Sequence, residues 1–192
     1  MNSGHLGDAF NHWKGSLISL LVSKQLLGSL VVEPMITDPE AWPEEDIQTY
    51  KRLLRLEALG PEAIFHATLT FHGANREDYF NELPKDGDIF LDPDIGFEPK
   101  KGGNEHIKVT EVINLLKPDR VVMVYQHSAH SNFGQRLDEI RNKLAAEAKA
   151  HCTVCECGQV AMFFISLKKN RIDKIKAVLQ KYLRGTAQRR VW

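Results

Sequence analysis

Two aspartates, Asp92 and Asp94, follow a short apolar run at residues 89–91. Such a run is typical of a strand buried on both faces. Pro93 ends the strand because proline has no N–H to donate, and Gly96 allows the backbone to turn. Two carboxylates at a strand end can bind Mg²⁺, position an amine, or act as acid and base. Ligands of open α/β sheets bind beyond the carboxyl ends of strands, so this DPD turn is our first candidate site. The alternative is a solvated turn without a function.

A second polar group follows another apolar run. Residues 120–125 are also predicted to form a buried strand, which ends with Tyr125 and runs into Gln126 and His127. An imidazole beside an amide and a phenol suits proton transfer by His127 and recognition of a base by Tyr125 and Gln126. The competing interpretation is a polar strand end with an exposed histidine.

Asp8 and Lys14 form a third candidate group near the start of the chain. Asp8 is well placed to cap a helix that begins at Ala9, which is a sufficient structural reason for its presence. Lys14 lies on the polar flank of that helix. We expect it to pair with an acidic site or with a phosphate.

Three cysteines, Cys152, Cys155 and Cys157, lie close together after His151. The Cys-x-x-Cys part resembles half of a zinc site, but no second pair completes four ligands. Strand alternation places Cys155 and Cys157 on one face, where free thiols pack as small apolar groups. We therefore predict no metal at this cluster, and an odd number of cysteines predicts no disulfide framework.

Helices that alternate with short apolar strands must position these groups. We predict helices at 9–28, 44–56, 109–116 and 172–183, another after Ser131 or Asn132, and a short helix or loop at 76–83. Strands are predicted at 30–32, 64–71, 89–91 and 120–125, and a hairpin at 151–156 and 160–167. The pattern predicts one α/β domain over residues 1–192. It has a Rossmann-like, mostly parallel sheet with helices on both faces and a C-terminal hairpin at one edge.

The net charge of zero conceals an uneven distribution. Residues 168–192, predicted as a basic C-terminal helix and tail, carry nine basic residues and one acidic residue, a net charge of +8. The first 167 residues carry a net charge of −8. A basic segment of this kind could contact DNA or RNA, or simply keep its charges in water. No apolar run reaches the ~20 residues of a membrane span, and no signal-peptide pattern opens the chain, so we expect a cytoplasmic protein.

Three motifs carry a resemblance to known families. They are GDAFNHWKGSLISLL at the start, FLDPDIGFEPK in the middle and VYQH further on. Together they resemble a bacterial and phage family with a GD…K opening, a DPD-x-G turn and a Y-(Q/H)-H strand end. More distantly, the chain is similar to S-adenosylmethionine-dependent methyltransferases, especially those that act on adenine in ribosomal RNA. Those enzymes have a lysine-bearing helix before the first strand, a D-P-P-(Y/F) motif after the fourth, and a terminal hairpin.

The second resemblance implies a methyltransferase-like enzyme that modifies a nucleic-acid base. It implies that Asp92 and Asp94 hold the target amine, that Glu33 lies near the cofactor ribose, and that Asp8 belongs to the cofactor side. The chain departs from the pattern after the first strand, because VVEPMITDP replaces a glycine-rich turn. The region before the DPD strand is also one strand–helix unit short.

Two other functions remain open from the sequence. One is a metal-dependent nuclease or phosphotransfer enzyme, with Asp8, Asp92 and Asp94 around Mg²⁺ and Lys14 on a phosphate. The other is a non-catalytic α/β module that binds a partner in the same crevice.

Overall fold

The computed structural model describes residues 1–59, 63–66, 71, 75–98, 103–128, 132–183 and 189–192. The helices in this part of the chain are α1 (Ala9–Ser23), α2 (Glu44–Leu53), α3 (Arg76–Glu82), α4 (Val109–Leu115), α5 (Phe133–Ala148) and α6 (Lys169–Tyr182). The strands are β1 (Leu30–Glu33), β2 (Ala63–Phe65), β3 (Asp88–Leu91), β4 (Gly96–Phe97), β5 (His106–Ile107), β6 (Val122–His127), β7 (His151–Cys157), β8 (Val160–Ser166) and β9 (Arg189–Val191).

The central sheet confirms the predicted fold class. Its strand order, within the described ranges, is β2-β1-β3-β6-β8-β7-β9. The first four strands are parallel, and β8, β7 and β9 each pair antiparallel with the preceding strand in that order. Between β1 and β3 the described residues add only β2 to this sheet, which agrees with the short region that the sequence indicates.

Helices cover both faces of the sheet because successive strand residues point to opposite sides. Phe90 of β3 packs into one apolar cluster with residues of α1, α2 and α6. Its neighbours Ile89 and Leu91 pack into the other cluster, with residues of α3, α4 and α5. The fully apolar run of β3 therefore follows from burial on both sides. In the described part of the chain, no helix is both long enough and apolar enough to cross a membrane.

Two helices end earlier than predicted. The first ends at Ser23 rather than Gly28, because the backbone turns at Gln25, whose φ is +55°. The second ends at Leu53 rather than Leu56, since Arg55 also takes a positive φ, of +59°. A short 3₁₀ turn, Leu56–Leu59, follows it. Neither break occurs at a glycine or proline, so the sequence gives no turn signal there.

The strands also differ from the prediction. β6 begins at Val122 and continues through His127, so the polar group belongs to the strand itself. The predicted strand at 64–71 is β2, described for Ala63–Phe65, and residues 67–70 lie outside the described part. The hairpin is not at the edge of the sheet, because β9 pairs with β7 beyond it. The two-residue strands β4 and β5 were not predicted and form a parallel pair after the DPD turn.

Some sequence predictions concern residues outside the described ranges. Ser131, one of the two predicted starts of α5, is among them. Asn132 occupies the N-cap position of α5 without a side-chain capping bond. Asp8 caps α1 as predicted, since its carboxylate accepts from the N–H groups of Phe10 and Asn11 at 2.9 Å.

Asp88 fixes the opposite, amino end of the sheet. Its buried carboxylate accepts from the backbone of Gly28 at 2.8 Å and of Val121 at 2.7 Å. The guanidinium of Arg171, on α6, forms two further bonds to it at 2.9 and 3.1 Å. These bonds tie the loops before β1 and β6 and the helix α6 to the start of β3.

Close contact between α1 and α2 gives the first prediction. Gly15 lies where an added Cβ would meet the carbonyl oxygen of Leu53 and come within 2.9 Å of Leu54 Cα. Although alanine is the better helix former, Gly15→Ala should lower the free energy of unfolding by about 1–3 kcal/mol, because the helices must separate. Urea unfolding measures the change. Gly134→Ala in α5, where nothing lies within 4 Å of the new Cβ, is the control and should be neutral or stabilising. Equal stabilisation by both variants would contradict the predicted packing.

Candidate functional site

The DPD turn is held in place by the strands on either side of it. The Asp92 N–H donates to Glu33 O at 2.9 Å, which continues the pairing of β3 with β1. Gly96 has a φ of +121°, and a Cβ there would lie 2.5 Å from the side chain of Gln126. The Gln126 amide accepts from Phe97 N at 2.8 Å and donates to Ile95 O at 3.1 Å. Gln126 therefore fixes the shape of the turn.

Asp92 lies at the centre of a buried polar group. Lys14 Nζ donates to Asp92 Oδ2 at 2.7 Å, with the two side chains 4% and 1% exposed. The Tyr50 hydroxyl donates to the same oxygen. Burial, and then the adjacent carboxylate of Asp92, hold the pKa of Tyr50 well above its ordinary value, so it remains a donor. Lys14 also lies over the Tyr125 ring, 4.3 Å from its centre. The predicted pairing of Lys14 with an acidic site thus has a definite partner.

Asp94 binds a second ammonium group. The α-ammonium of Met1 lies 3.5 Å from Asp94 Oδ1 and donates to Pro34 O at 3.0 Å and to Met35 O. The Thr37 hydroxyl donates to the other oxygen of Asp94. Burial lowers the pKa of the Met1 amino group, against the opposing attraction of Asp94. The segment after β1 therefore presents two backbone carbonyls toward the DPD turn.

A cavity of about 680 Å³ opens beside these two aspartates. It lies at the carboxyl ends of β3 and β6, next to the first turns of α1. Its lining residues come from the N-terminus, α1, the DPD turn, the segment before β5, and β6. They are Met1, Asn2, Asp8, Phe10, Asn11, Lys14, Asp92, Pro93, Asp94, Ile95, Glu105, Tyr125 and His127.

Six of the eight predicted site residues line this cavity. Asp8, Lys14, Asp92, Asp94, Tyr125 and His127 come together from three separate parts of the sequence. His127 is partly exposed at the wall, with its ring edge-on to Phe10 at a centroid distance of 6.2 Å. Burial, and then the Asp92 charge, raise the pKa of Tyr125, so that its phenol stays protonated.

Gln126 and Glu33 do not line the cavity. Away from the cavity, the Glu33 carboxylate accepts hydrogen bonds from Met35 N at 2.9 Å, from His66 Nδ1 at 2.7 Å and from the Tyr79 hydroxyl. The hydrogen bond that the His66 ring donates to the Glu33 carboxylate raises the pKa of His66. A role for Glu33 at a ribose stays a prediction, and the side chain would have to leave His66 and Tyr79 to perform it. Recognition of a base by Gln126 likewise requires its amide to leave the DPD turn.

The site also contains residues that the sequence did not point to. Tyr50 and Phe10 lie within the predicted helices at 44–56 and 9–28 without a motif of their own, and Thr37 and Glu105 lie in loops without a motif. A buried tyrosine on an apolar helix face looks the same in the sequence whether or not its hydroxyl reaches a carboxylate.

No metal centre was predicted at the cysteines. Cys155 is buried in β7, and burial raises the pKa of Cys152 to about 12, which keeps it a neutral thiol. Among the described residues, no group of three histidine, cysteine, aspartate or glutamate side chains is arranged to hold a metal ion.

At the cavity, Asp92 Oδ2 already accepts two hydrogen bonds. Coordination of Mg²⁺ by Asp8, Asp92 and Asp94 stays a prediction.

Comparison with known proteins shows a similarity to a solved structure but none to a protein family or a curated sequence. No protein-family model matches the sequence, and no curated protein matches it. Among solved structures, the chain is similar to human methyltransferase-like protein 13, whose crystal structure contains SAH. The two chains are 15% identical, and the match covers 96% of this chain and 95% of the other, with a TM-score of 0.41.

The buried pair gives a prediction for stability. Lys14→Met should lower the free energy of unfolding by about 3–5 kcal/mol, because it leaves the Asp92 carboxylate buried without its counter-charge. Lys14→Met combined with Asp92→Asn should recover much of that loss, since no buried charge remains. Urea unfolding of the single and double variants measures both effects.

Lys24→Met supplies the control, because Lys24 is exposed at the end of the same helix. It should change stability little. The buried pair has no such role if Lys14→Met and Lys24→Met unfold at the same urea concentration.

Proposed function

We propose that this protein is an S-adenosylmethionine-dependent methyltransferase that modifies an amino nitrogen of a nucleic-acid base. The observation that carries the proposal is the cavity at the carboxyl ends of β3 and β6, where Lys14 of α1 meets Asp92 of the DPD turn. Ligands of open α/β sheets bind in this position. The lysine-bearing helix, the DPD turn and the hairpin are also the parts that the sequence shares with such methyltransferases.

The donor set of the cavity suits the charge of the cofactor. Within the described residues, both hydrogen bonds to the Asp92 carboxylate go to Oδ2, and Asp94 Oδ1 is a buried oxygen that has the Met1 ammonium at 3.5 Å and accepts no hydrogen bond. Both side chains line the cavity. Negative oxygens of this kind favour a sulfonium and an α-ammonium group. A volume of about 680 Å³ lies within the range of cavities that hold cofactors of this size. When bound, the cofactor supplies an electrophilic methyl group.

The protein would orient the acceptor and remove its proton. Asp92, held in position by Lys14 and Tyr50, would accept an N–H of the target amine and direct the nitrogen lone pair. The Lys14 ammonium covers one face of the Tyr125 ring, so a base would stack on the other face. A methylated nitrogen must lose a proton, and His127 at the partly exposed wall would take it and pass it to solvent.

The proposed nucleic-acid contact is carried by part of the basic segment. Lys168 pairs with Asp119, Lys169 with Asp173, and Arg171 with Asp88. Arg171 supports the fold because its carboxylate partner is buried, whereas the pairs of Lys168 and Lys169 are exposed. Of the other cations of α6, Lys174, Lys176 and Lys181 would meet phosphates.

Cofactor binding is the decisive test of the proposal. Isothermal titration should show binding of S-adenosylmethionine, and the ligand at about 100 times its dissociation constant should stabilise the fold by about 2.7 kcal/mol. Asp94→Asn should weaken binding at least tenfold, because it removes a charge while an amide oxygen can still accept from Thr37. Asp173→Asn, on exposed α6, is the matched control and should bind normally. The proposal fails if the unsubstituted protein gives no heat and no thermal shift.

The nucleic-acid target has its own test. Replacing Lys174, Lys176 and Lys181 by glutamine should weaken binding to single-stranded RNA or DNA and reduce the slope of log affinity against log salt by up to about 3. Replacement of Lys24, Lys51 and Lys143, which lie on other helices, is the control. Equal affinities and slopes for the two triple variants would remove α6 from the interface.

A further inference from the structure

Among the described residues that line the cavity, negative groups outnumber positive ones. Four carboxylates line it, those of Asp8, Asp92, Asp94 and Glu105, against two ammonium groups. The ammonium groups belong to Lys14 and Met1, and each has one carboxylate partner, Asp92 and Asp94 respectively. Within this part of the chain, two of the four negative charges therefore have no ammonium partner.

Nearby groups do little to neutralise those two charges. Asp8 accepts only from the uncharged N–H groups of Phe10 and Asn11. Glu105 lies 4.0 Å from His106 Nδ1, but burial lowers the pKa of His106 and favours its neutral form. The amino end of α1 adds a partial positive charge of about half a unit, which is less than the excess.

One oxygen of the deepest carboxylate remains open toward the cavity. The Asp92 side chain is 1% exposed, and both of its hydrogen bonds from Lys14 and Tyr50 go to Oδ2. Within the described residues, Oδ1 has no such partner, and the side chain lines the cavity. This oxygen is therefore available to a ligand with a positive or N–H-donating group.

We propose that the cavity selects its ligand by charge and binds S-adenosylmethionine more tightly than S-adenosylhomocysteine. This inference rests on the methyltransferase function proposed above. In methyl transfer, the nitrogen lone pair of the acceptor forms the N–C bond while the C–S bond breaks. The electron pair of the broken C–S bond stays on sulfur, and the acceptor nitrogen releases one proton. The cofactor thereby changes from a net charge of +1 to zero.

The loss of charge weakens the attraction between the cavity and the spent cofactor. Within a partly buried site, Coulomb interactions are stronger than in bulk water, so the change of one unit matters most here. The cavity would hold the methyl donor until transfer and then release the neutral product. Asp8 and Glu105, which bind no ammonium group, are the specificity-determining residues in this proposal.

The test compares three ligands by isothermal titration at about 50 mM and about 300 mM salt. They are S-adenosylmethionine, S-adenosylhomocysteine and sinefungin, which carries an ammonium in place of the methylsulfonium. S-adenosylmethionine and sinefungin should both bind about tenfold more tightly than the homocysteine form at the lower salt. The ratio should fall at the higher salt if the difference is electrostatic.

Charge-only variants connect this ratio to named residues. Asp8→Asn keeps a helix-capping side chain, and Glu105→Gln keeps the shape of Glu105. The double variant should bind S-adenosylmethionine several-fold more weakly and S-adenosylhomocysteine unchanged. Glu147→Gln removes an exposed charge at the far end of α5 and should leave the ratio unaltered.

The outcomes of these experiments distinguish failure of this inference from failure of the proposed methyltransferase function. Equal binding of the charged and neutral forms, or an unchanged ratio in the double variant, overturns charge selection and leaves the methyltransferase proposal intact. Absence of binding by all three ligands overturns both. A preference for both cationic ligands that disappears in the double variant supports both.

Discussion

The buried ion pair between Lys14 and Asp92 is the interaction on which the rest of the site depends. It joins the first helix to the end of the central strand β3, across 78 positions of sequence. Tyr50 brings α2 to the same carboxylate oxygen. A buried pair contributes little net stability by itself, but loss of one partner is costly because the other charge remains. The pair thus favours one arrangement of the two helices over the DPD turn, and the cavity exists because that arrangement is fixed.

The shape of the DPD turn depends on a close contact between the Gln126 side chain and the backbone at Gly96. Any residue with a Cβ at position 96 would collide with Gln126. Gly96 takes a positive φ at a place where the Gln126 amide occupies the space of a Cβ. In return, Gln126 bonds to Phe97 and Ile95 on either side of the glycine. The polar residues of β6 consequently have two roles. Gln126 supports the turn, while Tyr125 and His127 reach the cavity.

Much of this arrangement was predictable from the sequence, and the remainder has a physical reason. Apolar runs identified β1, β3 and β6, and the parallel sheet then brought Asp92 and His127 to one edge. Lys14 was placed on a polar flank, but its partner was not predicted, because pairing over 78 residues depends on how α1 packs. Tyr50 could not be told from an ordinary core residue. Glu33, expected at a cofactor ribose, instead bonds to His66 and Tyr79, which are 33 and 46 positions away.

The segment after β1 differs from the corresponding segment of the methyltransferases that the sequence resembles. Methyltransferases of the type that the sequence resembles have a glycine-rich turn here, and this chain has Pro34 and Met35. Their carbonyl oxygens bind the Met1 ammonium, which Asp94 approaches from the DPD turn. Two carbonyls and a carboxylate suit an ammonium because each is an acceptor and the carboxylate supplies charge. In this chain the segment after β1 therefore binds an ammonium group, that of Met1, through two carbonyl oxygens and a carboxylate. Such a contact requires acceptors in the right position and does not require glycine.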